Sequence, residues 1–179
     1  MKQKLIISDN FYDNPHQYHR SFFEEKCLIT EETVNNISSL LGNQIKIITA
    51  FNNILLNKDS TNAITANIMS DWIAVIYLTL PPNCVNKFGV NFYIHSKTKL
   101  DSYPNEYVRG LHGWKSEKDL ELSFNTQNQN DWIKYSSPYV KYNRIIIFSA
   151  DMWHSYGDGF GTSKEDGLFF QQILLKLAP

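Results

Sequence analysis

The feature of this sequence that most constrains its fold is a series of short apolar runs, the longest of which extends from Trp72 to Leu80. This run is apolar at odd and even positions alike, so a strand built from it would bury both faces, as in a sandwich or barrel. It is also much shorter than the ~20 residues that a membrane-spanning helix needs. The chain is therefore expected to fold around buried strands.

Two helices are predicted near the start of the chain. The sequence Asp13-Asn14-Pro15 is a helix-start signal, and we expect a helix over residues 15–25. Thr30 is a suitable N-cap for a second helix, and Gly42 is placed to end it. Two helices followed by many short strands predict an α+β chain, mainly β, built on a sandwich or barrel.

The remaining chain divides into strands and one polar segment. Residues 96–141 are polar and mixed, with helix candidates around 116–123 and 128–135. Because this segment has too few apolar residues for its own core, we expect a single domain over 1–179 in which 96–141 is an insertion. Strands are predicted at 4–7, 45–48, 53–56, 72–78, 90–94, 145–148, around Trp153-His154, and at 169–177.

Composition narrows the classes of function. The 179 residues include 17 Lys and Arg against 18 Asp and Glu, and a formal charge of −1 gives no reason to expect nucleic-acid binding. An aromatic content of 14% favours strands and the walls of a cavity. Two cysteines, Cys27 and Cys84, are too few for a disulfide scaffold, and the first residues lack the apolar stretch of a signal peptide. We therefore expect reduced thiols and a cytoplasmic protein.

No short motif assigns a chemistry to the histidines. None of the five is followed two residues later by Asp or Glu, and the sequence contains no HExxH and no P-loop. For His16, His19 and His95 a structural or solvated role is the favoured interpretation, and for His154 a functional and a structural role are both left open. The five are His16, His19, His95, His112 and His154.

Five longer segments carry more information together than any one of them alone. They are DNFYDNP at 9–15, ITANIMSDW at 64–72 followed by YLT, GVNFYIHSKT at 89–98, NRIIIF at 143–148 followed by WHS, and EDGLFFQQI at 165–173. In this order they resemble the 2-oxoglutarate/Fe(II)-dependent oxygenase superfamily, in its prolyl-hydroxylase-like branch, over nearly the whole chain. The resemblance implies a double-stranded β-helix of jelly-roll or cupin-like form, with the N-terminal helices packed on one side.

The departures from this family fall on its functional positions. The resemblance aligns Thr65 and Asn67 with the first histidine and the carboxylate of the iron triad, and His154 with the distal histidine. It aligns Leu168 with the arginine that binds 2-oxoglutarate, and leucine has no guanidinium group to pair with a carboxylate. The resemblance therefore implies a degenerate oxygenase-like protein without the usual triad, acting through ligand or partner binding or iron-independent chemistry. No cofactor is expected.

We identify two candidate catalytic residues, His154 and Tyr77, as an acid and base such as an isomerase or cyclase would use. For Thr65 and Asn67, ordinary polar residues at a strand end are the favoured interpretation. Residues 115–121 are interpreted as a solvated charged helix face. The candidate pocket residues are Thr65, Asn67, Tyr93, His95, Trp153 and Leu168.

The alternative hypothesis is an active hydroxylase with an atypical metal site. Iron would be held by His154 with His95 or Asp71, and 2-oxoglutarate would be anchored by Arg144 or Arg109. Under either hypothesis we expect a small-molecule or peptide ligand and neither nucleic acid nor membrane as a partner. A homo-oligomer or a partner protein is left open.

Overall fold

The computed structural model describes residues 4–24, 26–57, 63–126 and 128–178. Glu25, the last residue of the predicted first helix, and the ends of the predicted domain, 1–3 and 179, lie outside these ranges. The described chain contains four α-helices and eight strands, which confirms the predicted α+β, mainly β class. In order, these are β1 (Leu5–Ser8), α1 (Pro15–Phe23), α2 (Glu31–Leu41), β2 (Ile45–Leu55), β3 (Trp72–Tyr77), β4 (Asn91–His95), α3 (Glu106–His112), α4 (Glu117–Phe124), β5 (Trp132–Ser136), β6 (Arg144–Ser149), β7 (His154–Ser155) and β8 (Leu168–Leu177).

Local chemistry sets the start of α1 and both ends of α2 as predicted, while α1 ends at Phe23, before the predicted residue 25. Pro15 occupies the first turn of α1, where its missing N–H costs nothing. The Thr30 hydroxyl accepts a hydrogen bond from the Thr33 N–H at 3.3 Å, and Gly42 ends α2 in the left-handed conformation at φ 65°. Among the helices of the described chain, none has the length and apolar character that crossing a bilayer requires.

The strands form two antiparallel sheets between which the chain passes repeatedly. The larger sheet has the order β1-β6-β3-β8-β2, and the smaller has the order β5-β4-β7. An isolated bridge between Thr65 and His154 extends the smaller sheet by one more chain segment beside β7. From β2 onward, successive strands alternate singly or in pairs between the two sheets, which confirms the double-stranded β-helix.

The apolar character of both faces of β3 now has a structural explanation. Its residues Val75 and Tyr77 belong to the core between the sheets, while Ala74 and Ile76 belong to a second core under α1 and α2. All four are at most 1% exposed. Because alternate side chains of a strand point to opposite faces, a sheet covered on both sides requires such a run.

The polar segment 96–141 covers the outer face of the smaller sheet. Leu120 and Phe124 of α4 pack with Trp132 and Trp153 in a third apolar cluster. The helix predicted around 116–123 is confirmed as α4, whereas α3 was not predicted.

Two predictions of secondary structure were wrong. The helix expected around 128–135 is instead a 3₁₀ turn (Gln129–Asp131) followed by β5, because Trp132 pairs with His95 of β4. The two strands predicted at 45–48 and 53–56 form one continuous strand, β2, since its pairing with β8 runs from Ile45 to Leu55 through a single irregularity.

Candidate functional site

The structure brings together the three residues that the resemblance aligns with the iron ligands. Thr65 and His154 exchange two backbone hydrogen bonds, of 2.8 and 2.9 Å, and therefore face the same side of the smaller sheet. The Asn67 N–H donates to the Ala150 carbonyl at 2.8 Å, which holds the next turn of chain nearby. The backbone at the triad position is thus a well-ordered strand junction.

The side chain of Asn67 is committed to this junction. Its amide oxygen accepts hydrogen bonds from the Met69 N–H at 2.8 Å and from both the Ser70 N–H and the Ser70 hydroxyl at 3.2 Å. An asparagine used in this way closes a turn through its own backbone. Asn67 therefore shapes the turn that leads into β3.

His154 is a buried, neutral imidazole. It is 1% exposed, and its ring meets Phe148 and Tyr156 edge to face, at centroid distances of 4.8 and 5.7 Å. Its Nδ1 lies 2.8 Å from the Met152 carbonyl, and because a carbonyl only accepts, Nδ1 carries the hydrogen. Burial lowers the pKa of His154 to about 4, against a smaller opposite effect of the Met152 carbonyl. At neutral pH the ring is an uncharged tautomer with its Nε2 lone pair free of a proton.

Tyr77 is fixed in the core between the sheets. Its hydroxyl accepts a hydrogen bond from the Val90 N–H at 2.8 Å, and the side chain is 1% exposed. Gly89 lies so close that a Cβ there would overlap this hydroxyl. Burial raises the pKa of Tyr77, so the phenol stays protonated. Tyr77 and His154 form no hydrogen bond with each other.

Three of the remaining predicted pocket residues, Tyr93, His95 and Trp153, lie on the opposite face of the smaller sheet, while Leu168 lies on the larger sheet. The Tyr93 hydroxyl lies 3.0 Å from the Ser155 hydroxyl. Ser155 follows His154 in β7, so its side chain points to the face opposite that of His154. His95 is fully buried, with Nδ1 3.0 Å from the Thr98 hydroxyl. Trp153 belongs to the cluster under α4. The structure therefore divides the predicted pocket between two faces of one sheet.

The ligands proposed for an atypical metal site are also apart. The His95 ring packs against Phe124 and Trp132 on the outer face of the smaller sheet, while His154 packs against Phe148 on the inner face. The Asp71 carboxylate is exposed and accepts a hydrogen bond from the Leu177 N–H at 2.9 Å. Among the residues that the structure describes, no group of three or more His, Cys, Asp or Glu is close enough to hold a metal ion.

The two arginines considered as anchors are engaged elsewhere. Arg144 forms an ion pair with Asp9, with Nε and Oδ1 2.6 Å apart, and this guanidinium holds the pKa of Asp9 at about 2. Arg109 forms an ion pair with Glu117, with Nη1 and Oε1 2.9 Å apart. At the position aligned with the family's arginine, Leu168 is 1% exposed and packs in the core between the sheets.

The structure also connects residues that the sequence did not. Tyr103, Glu117 and Phe124 line a cavity together with Trp153 of the smaller sheet. The available signal was the pair Leu120 and Phe124, spaced four apart, which marks one apolar face of a helix. Without knowledge of what that face covers, the charged residues beside it could not be placed.

Comparisons with known proteins support the fold. No family model and no curated protein matches this sequence. Among solved structures, SnoN, described as the non-heme α-ketoglutarate-dependent epimerase of nogalamycin biosynthesis, matches with a TM-score of 0.56 at 9% identity, over 97% of this chain and 78% of its own. HygX from Streptomyces hygroscopicus with iron matches with a TM-score of 0.49 at 7% identity, over 96% of this chain and 81% of its own. HygX with nickel and 2-oxoglutarate matches with a TM-score of 0.48 at 7% identity, over 96% and 82%. The match to SnoN shows that the chain has the fold of this non-heme α-ketoglutarate-dependent enzyme.

These comparisons correct one expectation. The expectation of no cofactor is contradicted by the match to SnoN, which shares this fold and is described as α-ketoglutarate-dependent. Whether such a group fits this chain depends on the chain's own residues at the triad position.

The residues at the triad position do not fit iron and 2-oxoglutarate in the manner of the family. Asn67 already uses its amide oxygen for three hydrogen bonds, and Thr65 offers only a neutral hydroxyl. His154 alone has the nitrogen that Fe(II) prefers, and Leu168 offers no charge to a carboxylate.

Proposed function

We propose that this protein is a degenerate member of the 2-oxoglutarate oxygenase fold in which the triad position has become structural, and that it acts by binding a small-molecule or peptide ligand. The observation that carries the proposal is the Asn67 side chain, whose oxygen closes a turn instead of facing a metal. The replacement of a charged anchor by the buried Leu168 supports it.

Other parts of the sequence interpretation enter this proposal as predictions. They are the prolyl-hydroxylase-like branch, a single domain with 96–141 as an insertion, a cytoplasmic location, and the absence of nucleic-acid and membrane partners. The formal charge of −1 supports the absence of a nucleic-acid partner. Association with a second copy or another protein is left open.

The test compares Fe(II) and 2-oxoglutarate binding by the wild type and by His154→Asn, under anaerobic conditions. Asparagine keeps a donor toward the Met152 carbonyl but removes the imidazole. We expect the Fe(II) affinity of the two proteins to be equal. Micromolar binding of both compounds by the wild type, with succinate release that His154→Asn abolishes, would establish the active hydroxylase instead.

A gain-of-function variant provides the matched control. Thr65→His combined with Asn67→Asp restores the family's ligand types, and aspartate keeps an oxygen that can accept the hydrogen bonds from Met69 and Ser70. We expect this variant to bind Fe(II) at least about tenfold more tightly than the wild type, because three N and O ligands replace one. An equal gain from Thr65→His alone would show that position 67 does not face the metal.

A further inference from the structure

A cavity of about 410 Å³ lies on the outer face of the smaller sheet, beside α4 and the segment 64–66. Three aromatic side chains, Tyr103, Phe124 and Trp153, contribute to its wall. The volume falls within the range of sites that bind small molecules. His154 lies on the inner face of the same sheet and does not line this cavity, whereas its bridge partner Thr65 does, so the cavity adjoins the triad position from the outer side.

The charged groups in the wall are all negative. Glu117 and Glu121 line the cavity four residues apart on α4, so both lie on the same side of the helix. Its lining includes no lysine and no arginine among the described residues. A ligand that enters this cavity therefore meets carboxylates and aromatic rings.

One carboxylate is held in a fixed network. Glu117 accepts a hydrogen bond from the Tyr103 hydroxyl and another from Arg109, whose Nη1 lies 2.9 Å away. The Arg109 guanidinium also lies 5.1 Å from the centre of the Tyr103 ring, and its Nη2 donates to the Tyr103 hydroxyl at 3.0 Å. This network balances the charge of Glu117 and holds Tyr103 against the cavity.

The other carboxylate, Glu121, is uncompensated. It forms no hydrogen bond or ion pair through its side chain with any residue that the structure describes. Beside it, Trp153 is 4% exposed, and its buried indole N–H has no hydrogen-bond partner within the described ranges. An ammonium group has only donors, so the attraction of this wall for a cation comes from the free carboxylate and the aromatic rings and not from this N–H. A free carboxylate beside aromatic rings is a feature of a site for a cation rather than of a closed core.

We propose that this cavity binds a protonated organic amine, whose ammonium group lies between the Glu121 carboxylate and the aromatic rings. Aromatic faces attract cations through the ring quadrupole, most strongly for tryptophan, and a nearby carboxylate adds to the attraction. The proposal goes beyond the function proposed above, because it concerns the opposite face of the sheet and does not depend on His154.

The first experiment measures binding of three probes to the full chain by calorimetry and ligand-observed NMR. The probes are 2-phenylethylammonium, 2-phenylethanol and 3-phenylpropionate, which share a ring and differ in charge. We expect saturable millimolar binding of the cation, about tenfold weaker binding of the alcohol, and none of the anion. Equal affinity for the three probes, or no saturable binding of the cation, overturns the proposal.

The second experiment locates the site with two variants of equal charge change. Glu121→Gln removes the free carboxylate from the cavity, and Glu31→Gln removes an exposed carboxylate from α2, outside the cavity. We expect Glu121→Gln to weaken binding of the cation about fivefold with no effect on the alcohol, and Glu31→Gln to have no effect. The same loss in both variants, or no loss in either, contradicts this site. Neither result depends on whether Fe(II) binds at His154, so the two proposals fail independently.

Discussion

Lowering the pH from about 7 to about 5 is expected to reduce the free energy of unfolding by about 2 kcal/mol through His154 alone. Burial lowers the pKa of this imidazole in the folded protein from 6.5 to about 4. Between these values the unfolded chain binds the proton and the folded protein does not, so stability is present above pH 6.5 and is lost as the pH falls. At about 1.36 kcal/mol per pKa unit, the whole loss amounts to about 3 kcal/mol once the pH is below both values.

The assay is urea unfolding followed by far-UV circular dichroism at the two pH values. The comparison is between the wild type and His154→Asn, which cannot titrate. His19 and His95, whose pKa values burial also lowers, are present in both proteins and cancel in the difference. A control variant, His112→Asn, changes an exposed ring and is expected to behave as the wild type. Equal acid-induced losses in the wild type and His154→Asn would refute the reasoning, as would a pKa for His154 above about 6 by NMR.

Two further changes test other contacts. Gly89→Ala places a methyl group against the Tyr77 hydroxyl and should lower the free energy of unfolding by roughly 1–3 kcal/mol, measured by thermal unfolding. Adding Tyr77→Phe removes the hydroxyl and should recover part of this loss. An unchanged Tm in Gly89→Ala would show that the strand shifts freely. Arg144→Gln removes the guanidinium that hydrogen-bonds to Asp9, so the pKa of the Asp9 carboxyl should rise from about 2 toward 3.8 in an NMR titration. An unchanged pKa would mean that Lys141 alone keeps it low.

The parts of the fold that the sequence predicted correctly depend on local chemistry or on burial of both strand faces. Thr30 and Gly42 satisfy backbone groups within one turn of the helix they flank, so their effect is readable without the rest of the chain. The run beginning at Trp72 is apolar throughout because cores lie on both sides of it. Such signals can be read without knowing how the neighbouring helices and strands are arranged.

The errors concern segments whose structure is decided by a distant partner. The central part of β2 has no clear alternation of apolar and polar residues, and its pairing with β8 makes it continuous. Likewise, Trp132 begins a strand because it pairs with His95, more than thirty residues earlier in the chain. Neither pairing has a signal within the segment itself.

The candidate site shows a different kind of limit. Trp153 and His154 are consecutive, and consecutive side chains of an extended chain point to opposite faces. The sequence alone therefore argues against placing both in one pocket. The cavity lined by Glu121 could not have been anticipated, because it exists only where α4 meets the smaller sheet. The spacing of apolar residues along a chain shows which face of a helix or strand is apolar, but not which other element packs against that face.

The position of the tryptophans gives the protein an internal optical reporter. Three of the four, Trp114, Trp132 and Trp153, pack in the cluster that joins α4 to the smaller sheet, while Trp72 lies on β3. Trp132 and Trp153 are in edge-to-face contact, with centroids 5.0 Å apart. The tryptophan fluorescence of the protein therefore reports chiefly on whether α4 is packed against the smaller sheet. A partial opening of that helix would change the fluorescence before the β-helix itself begins to unfold.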